Sequence, residues 1–64
     1  MYVNGQSYTH RDGLTLLSLL SDLKVNPKAV VVMHGDEIYR AGKIPDAPLD
    51  ERDVIEIVTM MAGG

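Results

Sequence analysis

Thr15-Leu16-Leu17-Ser18-Leu19-Leu20-Ser21-Asp22-Leu23 decides the fold. Leu16, Leu19, Leu20 and Leu23 fall at i, i+3, i+4 and i+7, the spacing of one apolar stripe on a helix. Ser18, Ser21, Asp22 and Lys24 occupy the other faces, and Leu17 lies beside the stripe. Thr15 suits the N-cap, where its hydroxyl accepts from a free backbone N–H of the first turn. Asn26-Pro27 ends the helix, because a residue before proline is driven out of the helical region. A single helix cannot bury such a stripe alone. It needs a sheet to lie on.

The flanking segments supply that sheet. Asn4-Gly5 separates Tyr2-Val3 from the stretch Gln6 to His10. Asn-Gly favours the positive φ values of a type I′ hairpin turn, so strands are expected near 2–4 and 6–10. Ala29 to Met33 is a continuous apolar run rich in β-branched residues, which reads as a central strand buried on both faces. His34-Gly35-Asp36 is a turn, and Glu37 to Arg40 reads as a short edge strand. Ala41 to Asp50, with Gly42, Pro45 and Pro48, reads as an irregular surface loop. After the polar turn Glu51-Arg52-Asp53 comes the last strand, Val54 to Thr59, with Ile55 and Ile57 on one face and Glu56 opposite. The expectation is a two-layer α+β domain of the β-grasp type. Its mixed sheet has four to five strands, with one main helix packed across it. Residues 1–59 form the domain and 60–64 a flexible tail.

Composition narrows the chemistry. The chain has 64 residues and no cysteine, tryptophan or phenylalanine, which leaves room for one small domain. Without cysteine there is no disulfide, thiolate metal site, thiol nucleophile or CxxC pair. Six Lys+Arg against nine Asp+Glu give a formal charge of −3. That balance argues against nucleic acid as a partner, since phosphate binding needs a basic patch. No charged n-region or apolar h-region opens the sequence, and the longest apolar run, Ala29 to Met33, is too short for a bilayer. The expectation is a cytoplasmic protein that does not bind membranes.

The polar residues form no catalytic set. Asp50, Glu51 and Asp53 read as a solvated turn, because a catalytic carboxylate pair needs burial or a partner to separate its pKa values. His10 and His34 read as surface residues, with no second ligand at helical spacing. Tyr2, Tyr8 and Tyr39 suit sheet packing better than an aromatic binding surface. No nucleophile stands beside a base. Met60-Met61 is either the end of the last strand or an adaptable apolar contact for a partner. The tail is different. Glycine lacks Cβ, so Gly63-Gly64 can thread a narrow channel and approach another protein's atoms closely. The five residues 60–64 reach roughly 16–18 Å when extended. A carboxylate on Gly64 is a poor electrophile, and an acyl-adenylate made from it is a good one.

These stretches together resemble the ThiS family, the sulfur carriers of thiamine biosynthesis. Val3-Asn4-Gly5-Gln6 is similar to the family's opening hairpin, and Gly13-Leu14-Thr15-Leu16-Leu17 with Leu19-Leu20 to its short helix. Val30 to Met33, Glu37-Ile38 and Arg40 resemble its strand–turn–strand. Pro48 to Val58 resembles its last strand with the turn before it, and Ala62-Gly63-Gly64 its terminus. Departures fall at His34-Gly35, Tyr39, Arg52 and Met60-Met61. The related small subunit of molybdopterin synthase (MoaD) shares the fold and tail and is usually longer.

The resemblance implies a cycle catalysed by other proteins. A ThiF-like adenylating enzyme would use ATP to activate Gly64. A cysteine desulfurase route would supply sulfur to make a C-terminal thiocarboxylate. A ThiG-like thiazole synthase would then receive the sulfur. Gly64 carries the group, while Gly63 and Ala62 give access. The sheet face and last strand dock the partners, with Met60, Met61, Val58 and Arg40 as the docking residues. The carrier binds no cofactor, is not an enzyme and is a monomer when free. Alternatives are a MoaD-like or other pathway sulfur carrier, a ubiquitin-like protein modifier, and a plain β-grasp interaction module.

Overall fold

The computed structural model describes residues 1–59. The expected tail, residues 60–64, lies outside the described residues. Strand β1 (Tyr2–Val3) turns at Asn4-Gly5 into β2 (Gln6–Ser7), and helix α1 (Leu16–Asp22) follows. Strands β3 (Val30–His34), β4 (Glu37–Tyr39) and β5 (Val54–Thr59) complete the order. The sheet runs β2-β1-β5-β3-β4. Only β1 and β5 are parallel; the other neighbours are antiparallel. The last strand therefore lies in the middle, between the first and the third.

Each element ends for a local reason. Asn4 and Gly5 take φ values of 53° and 81°, the geometry expected of the Asn-Gly turn. Strand β2 stops at Ser7, short of the expected His10. The Tyr8 N–H still donates to the Met1 carbonyl at 2.9 Å, and among the described residues no strand runs beside Thr9 and His10. Helix α1 starts as expected: Thr15 is the N-cap, and its Oγ1 accepts from the Ser18 N–H at 3.3 Å.

The helix ends earlier than Asn26-Pro27. Leu23 is the C-cap and Lys24 takes φ 58°. The Val25 N–H donates to the Leu20 carbonyl at 2.8 Å, and the Lys24 N–H to the Ser21 carbonyl at 3.0 Å. These two bonds make a Schellman motif with lysine where glycine is usual. Val25 packs against the core beyond it.

The core consists of Val3, Leu14, Leu16, Leu19, Leu20, Val30, Val32, Leu49 and Ile55. Leu23, the expected fourth member of the stripe, is 36% exposed because the helix has already capped there. Its place in the core goes to Leu14 and Leu49. The segment 41–50 is thus more than a surface loop. The Leu16 N–H donates to the Ala47 carbonyl at 2.8 Å and the Leu49 N–H to the Leu14 carbonyl at 2.9 Å. A bridge between Thr15 and Pro48 ties this segment to the helix start, and Leu49 is buried. Strand β3 is buried on one face only. Val30 and Val32 are covered, whereas Val31 and Met33 are half-buried, since the single helix covers one side.

Candidate functional site

The strand registers sort every sheet residue onto a face. Val3, Ile55, Ile57, Val32 and Tyr39 share the side beneath the helix. Tyr2 pairs with Val54, Val31 with Val58, and Met33 with both Glu56 and Ile38. Side chains alternate along a strand, so these residues form the opposite face. Tyr2, Ile38, Val54 and Val58 stand exposed there, Ile38 at 66% and Val58 at 48%. Glu56 is the one carboxylate among them. An apolar surface with a charge set in it is the kind of patch that marks a protein contact.

Strand β5 leads out of this face. It is held on both sides, by β1 at Val54 and Ile55 and by β3 from Ile55 to Thr59. Asn4 adds a further hold, its Oδ1 accepting from the Ile57 N–H at 2.7 Å. Thr59 thus ends a strand that has a paired neighbour on each side.

The residues expected to dock partners divide in two. Val58 lies on the open face. Arg40 is exposed just after β4, at the start of the irregular segment, where its carbonyl accepts from the Lys43 N–H at 2.9 Å. Met60, Met61, Ala62, Gly63 and Gly64 lie outside the described residues. Tyr2, Ile38 and Val54 share this open face without any signal of it in the sequence, because apolar residues alternate onto both faces and nothing local says which face the helix takes. The three tyrosines form no joint surface. Tyr2 is on the open face, Tyr39 packs against the core, and Tyr8 donates from its hydroxyl to Asp22 Oδ2 at 3.3 Å.

The polar residues serve the fold. His10 and His34 are half-buried and partnered, not solvated. Nε2 of His10 lies 2.8 Å from the Leu49 carbonyl, so it carries the proton and donates. Nε2 of His34 lies 3.1 Å from Asp53 Oδ2. The same Asp53 oxygen accepts from the Asp50 N–H at 2.7 Å, and Asp50 Oδ1 accepts from the Arg52 N–H at 3.3 Å. The acidic cluster is thus the turn the sequence suggests, closed by its own carboxylates. Arg11 pairs with Asp22 at 2.8 Å, and that hydrogen bond holds its pKa above the usual arginine value. Among the described residues no group of three His, Asp or Glu side chains is placed to hold a metal. No helix there is long and apolar enough to cross a membrane.

A mixed five-strand sheet with its last strand in the centre and one helix across it defines the class: a ubiquitin-like β-grasp domain. The ThiS family model matches residues 1–64. The sulfur carrier protein ThiS of Thermus thermophilus is 38% identical over 53 residues, which is 83% of either chain. The chain belongs to the ThiS family.

Proposed function

We propose that this chain is a sulfur carrier that transports sulfur on the terminal carboxyl of Gly64 for thiazole formation in thiamine biosynthesis. Membership of the ThiS family along residues 1–64 carries the reading. The geometry supports it: β5 is paired to β1 over its first part and to β3 up to Thr59, five residues before Gly64 in the sequence.

The chemistry is supplied in trans. A ThiF-like enzyme transfers AMP from ATP to the Gly64 carboxylate and releases pyrophosphate. A sulfide equivalent from a cysteine desulfurase route attacks the acyl carbon and expels AMP. The product is a thiocarboxylate, which a ThiG-like synthase consumes. Cysteine is absent from the chain, so no side-chain thiol competes for the sulfur. Tyr2, Val31, Met33, Ile38, Val54 and Val58 form the apolar docking face for these enzymes. Met60, Met61 and Arg40 extend it, and Gly63 and Ala62 give the tail its access. The chain carries the group and the partners perform the catalysis, in the cytoplasm.

Intact-mass measurement tests the reading. After incubation with a ThiF-like enzyme, ATP and sodium sulfide, the mass is expected to rise by the exchange of one oxygen for one sulfur, located at Gly64. A chain that stays an unmodified carboxylate under those conditions sinks the proposal. Isopeptide ladders on lysines would favour the protein-modifier alternative instead.

A further inference from the structure

The two edges of β5 are served differently. Along a strand, alternate residues direct their main-chain groups to the same neighbour. Val54 faces β3, its carbonyl accepting from the Gly35 N–H at 3.5 Å. The odd-numbered residues face β1. The Asp53 carbonyl accepts from the Tyr2 N–H at 3.1 Å, and the Ile55 carbonyl from the Asn4 N–H at 2.9 Å. The next groups on that edge are the N–H and C=O of Ile57 and the N–H of Thr59. At this level β1 has ended, because Asn4 and Gly5 turn the chain away with positive φ. The Asn4 side chain replaces the main chain for one more bond and takes the Ile57 N–H at 2.7 Å. Beyond it, among the described residues, no strand lies beside the Ile57 carbonyl and the Thr59 N–H.

We propose that the Ile57 carbonyl and the Thr59 N–H form a docking edge for an extended main-chain segment of the enzyme that adenylates Gly64. The segment joins the sheet on the β1 side of β5, just past Asn4. This rests on the carrier reading given above. The occupant follows from the groups themselves: an acceptor and a donor flanking Val58 on one strand edge match the donor and acceptor of another extended chain. The location follows from the tail. Residues 60–64 span roughly 16–18 Å at most, so a segment held beside Thr59 lies within that reach of the carboxyl to be activated. Val58, whose side chain lies between these two groups in sequence, projects onto the open face, which makes edge and face one continuous surface. Asn4 limits the free edge to this one slot, and a short edge resists pairing with a second copy of the chain.

Thr59→Pro tests the idea. Proline removes only an N–H directed away from β3 and fills the slot with its ring, a change that the outer side of a strand accommodates. Two quantities are read: the thermal midpoint, and the KM for the carrier in ATP–pyrophosphate exchange by the ThiF-like enzyme. The expected result is a KM raised tenfold or more with the midpoint within a few degrees of wild type. Thr59→Ala keeps the N–H and is expected to raise KM less than threefold. Equal KM values for Thr59→Pro and wild type overturn the proposal. So do equal losses in Thr59→Pro and Thr59→Ala, which would assign the effect to the side chain. Should Thr59→Pro fail to fold, amide exchange on the wild-type chain decides: the Thr59 amide is expected to slow at least tenfold with the enzyme and ATP bound, and unchanged exchange overturns the proposal. Wild-type chain that supports no pyrophosphate exchange sinks the carrier reading and this inference with it. Wild-type exchange with an unaffected Thr59→Pro sinks this inference alone.

Discussion

On one face of the sheet, Val3, Val30, Val32 and Ile55 are buried in a core with Leu16, Leu19 and Leu20. On the other, Tyr2, Ile38, Val54 and Val58 lie in solvent. The residue types are nearly the same, since β-branched and aromatic side chains suit a pleated surface on either side. The burial differs because the described residues form one helix and that helix covers one side. Apolar character on the covered face is therefore used in folding. On the open face it remains available to a partner, and each face can be disturbed without the other.

Leu20→Ala is the strongest test of the covered face. Leu20 is fully buried, and truncating such a leucine costs about 2–5 kcal/mol through lost contacts and a residual cavity. A domain of this length has roughly 3–10 kcal/mol in all. The urea midpoint is expected to fall to a small fraction of the wild-type value, or the cooperative transition to vanish. A midpoint within a tenth of wild type would show that the helix stripe does not hold the sheet.

Val58→Glu asks the converse question on the open face. Folding stability is expected to change by less than about 1 kcal/mol, because the side chain is half exposed and lies on the face opposite the core. Adenylation by a ThiF-like enzyme should suffer far more, with KM for the carrier rising at least tenfold in pyrophosphate exchange. An unchanged KM would remove this face from the docking surface. A collapse in stability would show that the two faces are not independent.

How far the sequence foretold this contrast depends on the range of the signal. The helix stripe, the Asn4-Gly5 turn and the last strand at Val54–Thr59 were legible because each is a local pattern of spacing or turn chemistry. Leu49 was not. It sits between prolines and acids, and its burial depends on pairing with Leu14, thirty-odd residues away in sequence, which no local periodicity reports. The choice of covered face was hidden for the same reason: Ile55 and Val54 look alike until the helix is placed. At the candidate site, Val58 came from the family resemblance, while Tyr2, Ile38 and Val54 emerged only from the strand register.

Asn4 joins the two regions, and its variants separate its two roles. Asn4→Gly keeps the turn and deletes the acceptor for the Ile57 N–H, which is expected to cost about 0.5–1.5 kcal/mol. Asn4→Ala also forces a side chain without local polar bonding into positive φ, which raises the loss by a further 1–2 kcal/mol or so. Urea midpoints for the pair are expected in the order wild type, glycine, alanine. Equal midpoints for glycine and wild type would mean that the Asn4 side chain contributes nothing to holding the end of β5.

The smallest effect is expected at the end of the helix, and it has the opposite sign. Lys24 holds φ 58° to complete the Schellman motif, a conformation that costs a side-chain-bearing residue about 1–2 kcal/mol. Glycine adopts it freely but gives up more chain entropy on folding, about 0.5–1 kcal/mol. The balance predicts that Lys24→Gly stabilises the chain by about 0.5–1 kcal/mol. Lys24→Ala should bring no such gain, because alanine keeps the Cβ that creates the strain. Lys24 belongs to neither the open face nor the β5 edge, so adenylation should be unaffected by the glycine variant at temperatures where both proteins are folded. A raised urea midpoint with unchanged KM would place the strain in the covered layer alone. A raised midpoint with altered KM would show that the way the helix ends is felt on the far side of the sheet.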